Sequence, residues 1–166
     1  MSSYIFKNVK KYAAIGKLNF NNGIYRVALC THELVDTPKT YWDKEYWSDI
    51  NEFEITNVTG YPNDGYETTP TAPGHPLQGI GVVYKDDAGI PCDDGLEDIL
   101  VYANDVSYNI SHIKADCAVI MKKNISGQYE LICAIDIRVD GQSVISNNGV
   151  FKLLFSEKNG GFLVIK

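Results

Sequence analysis

The sequence predicts a mainly β, antiparallel fold: a β-sandwich or a jelly-roll-like barrel with a short N-terminal helix or arm. Three observations carry that prediction. Tyrosine occurs 11 times and glycine 14 times, so aromatic residues and turn formers are both plentiful. Between residues 115 and 165, apolar β-branched runs are cut by Asn124…Gly127, Asp140-Gly141, Asn147-Asn148-Gly149 and Asn159-Gly160-Gly161, the turn chemistry that joins short strands. No internal repeat is present, which excludes solenoids and propellers.

The chain of 166 residues fits one domain spanning 1–166, with residues 1–15 as a helix or arm and 60–98 as an inserted Pro-rich and acidic loop. Hydrophobic residues at 45% and charged residues at 22% are ordinary for a folded globular chain. The net charge of −6 argues against a nucleic-acid partner, because phosphate binding needs clustered Lys and Arg. No apolar run approaches the roughly 20 residues that cross a bilayer, so no membrane role is expected. Lys7, Lys10 and Lys11 are followed by no apolar signal core, which predicts synthesis and folding in a reducing cytoplasm.

Taken in order, Tyr4, Ile5, Val9, Tyr12, Ala13 and Ile15 recur at near-helical intervals with lysines between them, predicting a short amphipathic helix or else an extended arm. Asn21-Asn22-Gly23 turns the chain into Ile24–Cys30, where Tyr25, Val27 and Leu29 alternate onto one face. Trp42, Tyr46 and Trp47 with Asp43, Lys44 and Glu45 suggest an exposed helical turn, and Phe53–Val58 alternates as a strand would. Residues 60–79 hold Tyr61-Pro62, Asp64-Gly65, Thr69-Pro70, Ala72-Pro73 and His75-Pro76, a long loop of polyproline character. Ile80–Tyr84 is a short strand. In the second half, strands over Ala115–Met121, Leu131–Ile137, Val150–Phe155 and Phe162–Ile165 are expected, with Val119, Ile135, Leu153 and Leu163 in one shared core.

No constellation for chemistry emerges, and no cofactor is expected. His32, His75 and His112 are scattered, and nucleophile-elbow, phosphate-loop and dinucleotide motifs are absent. Cys30, Cys92, Cys117 and Cys133 lack zinc spacing, and three of them lie in apolar runs, so they read as buried thiols. Asp86, Asp87, Asp93, Asp94, Glu97 and Asp98 crowd one stretch, readable as a solvated loop, as a Ca²⁺ site without the EF-hand template, or as a surface for a basic partner. Tyr41, Trp42, Tyr46 and Trp47 could cap the core, anchor an interface or stack on sugars. On this reading the chain is not an enzyme but a protein-binding domain, with a carbohydrate-binding module as the rival.

The order of several segments adds to this. Lys17–Phe20, Tyr25–Thr31, Trp47–Phe53, Thr59-Gly60-Tyr61, Asn104–Tyr108, Ala115–Ile120, Leu131–Asp136, Ser146–Phe151 and Gly161–Ile165 follow one another in a pattern that resembles a family of small tailed-bacteriophage virion structural proteins. The resemblance spans residues 5–165 and departs at 61–92, where the family's diglycine strand is replaced by the Pro-rich, acidic insertion. It implies a β-sandwich built for multi-copy assembly with other virion proteins: most simply a capsid cement or decoration protein, alternatively a tail, baseplate or head-fibre adaptor. Its place would be the virion, after synthesis in the host bacterial cytoplasm.

The expected partner-binding residues are Tyr4, Ile5, Phe6 and Val9 on the terminal segment, Trp42 and Trp47, and Tyr61 and Tyr66 on the loop, since apolar groups at a terminus or on a Pro-rich loop are hard for one domain to cover. Removal of residues 1–10 is therefore expected to leave a folded domain. Thiol titration of the denatured protein, isolated without reductant, should count all four cysteines, and the melting temperature should not fall when a chelator is added.

Overall fold

The computed structural model describes residues 3–56, 58–61, 73–85 and 98–165. Its strands are β1 (Tyr4–Ile5), β2 (Tyr25–Cys30), β3 (His75–Leu77), β4 (Gly81–Lys85), β5 (Asp98–Tyr102), β6 (Val106–Ser111), β7 (Lys114–Ala115), β8 (Cys117–Lys123), β9 (Tyr129–Asp136), β10 (Val144–Ile145), β11 (Gly149–Leu153) and β12 (Leu163–Ile165). The helices are α1 (Lys7–Ala14), α2 (Glu33–Asp36) and α3 (Pro38–Tyr41), with single 3₁₀ turns at Trp47–Asp49, Asn51–Phe53 and Glu157–Asn159. The fold is mainly β and antiparallel, and no closed barrel forms among the described residues.

A five-stranded sheet in the order β1-β9-β8-β2-β3 is the frame. Its central hairpin, β8–β9, is set by local chemistry. Asn124 Oδ1 accepts from the backbone N–H of Ser126 and of Gln128, both at 3.0 Å, and Gly127 takes the left-handed conformation at φ +85° that a side chain would resist. Farther on, Asp140 and Gly141 are both left-handed, at φ 51° and 74°, and Val139 pairs with Gln142 across them. That is the primed turn the Asp-Gly pair predicts.

Both faces of the sheet are buried, and they belong to different cores. On one face Tyr25, Val27 and Leu29 of β2 meet Ala118 and Ile120 of β8, together with Val101, Val106, Tyr108, Phe151, Leu153 and Leu163 from the ribbons β12-β5-β4 and β11-β6. On the other, Ala28 and Cys30 of β2 meet Cys117, Val119 and Met121 of β8 beneath Phe6, Leu34, Val35, Trp47 and Ile50. The molecule is thus ribbons, sheet, then short helical segments. The single core expected for Val119, Ile135, Leu153 and Leu163 is accordingly corrected. Val119 points to the helical face, while Leu153, Leu163 and the half-buried Ile135 lie on the ribbon face. The reason is the period of two along β8, which sends neighbouring residues to opposite faces.

A bulge in β9 ties the N-terminus in. Ile120 pairs with Cys133 but Met121 pairs with Leu131, leaving Ile132 as the extra residue. The Ile132 carbonyl accepts the Phe6 N–H at 3.0 Å, just beyond the pairing of Tyr4 with Ala134 and of Ile5 with Cys133. Phe6 is fully buried, and α1 then buries Asn8, Val9 and Tyr12 while Lys7, Lys10 and Lys11 face outward. The helix forms as its periodicity predicts. The free-arm alternative does not hold, because Tyr4 and Ile5 complete a sheet edge and Phe6 and Val9 fill the core.

Two local expectations also change. Among the described residues of 53–58 no strand forms: Asn51–Phe53 is a 3₁₀ turn, and isolated bridges join Glu54 to Cys30 and Val58 to Tyr61. The helical turn expected at 42–47 falls on either side of it, at Pro38–Tyr41, where Pro occupies the first helical position, and at Trp47–Asp49, where the Asp49 carboxylate accepts the Tyr46 N–H at 3.0 Å. Phe6→Ala should cost about 3–5 kcal/mol in urea denaturation, and a chain lacking residues 1–10 should lose its cooperative transition rather than keep a folded domain.

Candidate functional site

Two places concentrate unusual groups. The first is a clasp where the chain leaves the described residues after Tyr61 and returns at Pro73. One oxygen of Glu54, Oε1, accepts the Tyr61 hydroxyl at 2.6 Å on the outgoing side and the Gly74 N–H at 2.8 Å on the returning side. Arg26 of β2 reaches the returning side as well, donating from Nε to the Pro73 carbonyl and from its terminal nitrogen to the Gly74 carbonyl at 2.7 Å. Tyr61 Oη in turn accepts the Leu29 N–H at 3.0 Å. Gly74 sits at φ +55°, and a Cβ there would fall 2.0 Å from the Val27 carbonyl oxygen, so no other residue fits. His75 and Tyr61 both pack on the buried Tyr108 ring, at centroid distances of 5.7 and 5.5 Å.

Burial sets the electrostatics of the clasp. It pushes the Glu54 carboxyl above its ordinary value, with the Tyr61 and Gly74 hydrogen bonds and Arg26 pulling the other way and losing. Burial first, then Arg26, lowers His75, and burial followed by the Glu54 charge raises Tyr61 well above a free phenol. The Glu54, Tyr61 and Arg26 side chains are thus occupied in joining Tyr61 to Pro73 and Gly74.

The second place is an apolar groove of about 310 Å³ at the open edge of the ribbon-side core. Ile135, Ile137 and Val144 form one wall, and Phe151, Leu153, Leu154, Phe155 and Phe162 the other, with Lys152 the charged residue at its rim. The β11 strand explains it. Phe151, Leu153 and Phe155 turn inward and are buried, whereas Val150 and Leu154 turn outward and are 57% and 52% exposed. β11 and the two residues that follow it therefore carry apolar side chains on both faces, and among the described residues the sheet neighbour of β11 is β6 alone. The opposite wall is held by charge: Arg138 grips Asp136 through two nitrogens, at 2.9 and 2.8 Å, and reaches Asp36 beside α2 at 2.7 Å. The Arg138 hydrogen bond first, and that of His32 Nδ1 at 2.9 Å after it, hold the Asp36 carboxyl below its ordinary range.

The sequence-predicted partner residues do not come together. Phe6, Val9, Trp47 and Tyr61 are buried, and Tyr4 and Ile5 are half-buried in a strand. They are internal because the N-terminal segment is a sheet edge and Tyr61 is a clasp residue. Trp42 is exposed at 42%, with the Lys7 ammonium 5.2 Å above its ring. Tyr66 lies outside the described residues, as does the acidic stretch, with its Ca²⁺ reading, up to Glu97, while Asp98 opens β5. Among the described residues, no group of three or more His, Cys, Asp or Glu is placed to hold a metal ion, and no helix is long and apolar enough to cross a membrane. The groove was missed by sequence reasoning, yet Val150-Phe151-Lys152-Leu153-Leu154-Phe155 carries its signal: five of its six residues are apolar, more than a strand with one solvated face would hold. No family model matches the chain, and no curated protein or solved structure matches it either.

Glu54→Gln should keep the clasp while removing a buried charge. A carboxyl raised by folding contributes stability below its unfolded pKa and loses it as pH rises through the folded value, so at pH 7 the variant should melt no lower than the parent and the two should converge below about pH 4. Glu54→Ala, which strands Tyr61 Oη and the Gly74 N–H, should cost about 1–3 kcal/mol at the same pH.

Proposed function

We propose that this protein is an auxiliary structural protein of a tailed-phage virion, a cement or decoration protein that attaches to capsid subunits through the apolar groove and the outer side of β11. The single observation behind the mode of attachment is the rim of that groove: Leu154 stands in solvent beside half-buried Ile135, Ile137, Val144 and Phe162, and Val150 on β11 is exposed as well. Exposed apolar surface continuous with an open core edge is the usual mark of a protein-binding site. The place of binding on a phage particle rests on the ordered resemblance across residues 5–165. Cement proteins act by occupying joints between shell subunits, so many modest contacts add through multivalency. The terminal segment, once expected to do this work, has its apolar groups committed to the domain's own core.

A tail, baseplate or head-fibre adaptor would use the same surface. The carbohydrate reading needs two indole platforms, and of its two candidates Trp47 is buried and Trp42 has one face under Lys7. Leu154→Glu should leave the melting temperature within a few degrees, since the side chain already meets solvent, while reducing occupancy on purified particles at least tenfold. Wild-type occupancy of that variant in quantitative imaging would reject the groove as the attachment surface, and signal on tails alone would select the adaptor role.

A further inference from the structure

The central sheet places two cysteines face to face. Cys30, the last residue of β2, is the register partner of Cys117, the first residue of β8, and both side chains point into the helical-face core. Directly opposed residues of an antiparallel ladder have Cα atoms about 4.5–5.5 Å apart, inside the roughly 4.4–6.8 Å span that a disulfide bridges. The third described thiol, Cys133, is opposite Ile120 and belongs to the ribbon-face core. All three are buried and free.

We propose that Cys30 and Cys117 are a redox-sensitive pair, which a disulfide oxidant such as oxidised glutathione converts into a cross-strand bridge that locks β2 to β8. One protein thiolate attacks a sulfur of the oxidant, forming a mixed disulfide and expelling one glutathione thiolate. The second protein thiolate attacks the protein sulfur of that mixed disulfide and expels the other. The protein gives up two electrons and two protons, and the oxidant takes both as two molecules of reduced glutathione.

Kinetics follow from burial. Removal from water pushes the Cys30 and Cys117 thiols up, so few thiolates exist in the closed sheet. Exchange therefore runs through folding or transient opening, and the pair stays reduced wherever a thiol pool is maintained. A particle that leaves such a cytoplasm would acquire the lock outside it. This setting rests on the function proposed above, whereas the chemistry is tested on the isolated chain, so a failure here leaves the particle assay untouched.

The full chain is refolded in a glutathione buffer, quenched by alkylation, and mapped by non-reducing peptide mass spectrometry. The expected result is a predominant Cys30–Cys117 peptide pair two hydrogens lighter than its thiol form, with the melting midpoint raised on the order of 5 °C and restored by dithiothreitol. Cys133→Ser should retain the link and the shift. Cys117→Ser should lose both, with Cys30→Ser serving the same purpose if that variant does not fold. Thiols that persist at both positions, links mainly to Cys133 or Cys92, or an oxidised form no more stable than the reduced one would each overturn the proposal.

Discussion

All six residues of β2, Tyr25 through Cys30, are buried, and the first five residues of β8 beside it are buried as well. A strand buried on both sides needs a cover on both sides, and most of the remaining architecture follows from that need. The ribbons supply one cover. The other is assembled from pieces too short to be stable alone: two four-residue helices, two single 3₁₀ turns and the N-terminal segment. Leu34, Val35, Trp47 and Ile50 are buried beneath this cover, and Tyr41 and Phe53 pack half-buried against them.

The same constraint explains which parts of the fold could be read from the sequence. Tyr25, Val27 and Leu29 on one face, the β8–β9 hairpin and the Asp140-Gly141 turn are local statements, and local chemistry decides them. The division of the core is not local. Alternation along β8 shows that Val119 and Ile120 part company, but only the tertiary arrangement says that both sides are covered. Phe53–Val58 alternates as a strand would, yet among its described residues it joins no ladder, and a 3₁₀ turn and two isolated bridges stand in its place. Glu54, unremarkable in sequence, becomes the acceptor that joins residues 61 and 74 because the two segments converge on it.

The binding residues were harder to read for a related reason. Tyr4, Phe6 and Trp47 look like surplus apolar groups when each is counted against its own neighbours, but they are the second cover of a sheet whose other half is made far away in the chain. A surplus does lie at β11 and just past it, where Val150 and Leu154 remain in solvent. Surplus is a property of the whole contact network, so it becomes visible only after the buried groups have found their places.

The bulge at Ile132 has a consequence for the order of events during synthesis. Its carbonyl takes the Phe6 N–H, and β1 pairs with Cys133 and Ala134, so β1, once synthesised, waits for a partner made some 125 residues later. At about 5–20 residues per second that is a delay on the order of ten seconds, during which Phe6 has no core to enter. Such wide sequence separation also slows the final closure, since the loop entropy must be overcome before the pairing returns anything. The nascent chain is thus most vulnerable to self-association at β1 and Phe6, and completion of β9 is the step that ends that exposure.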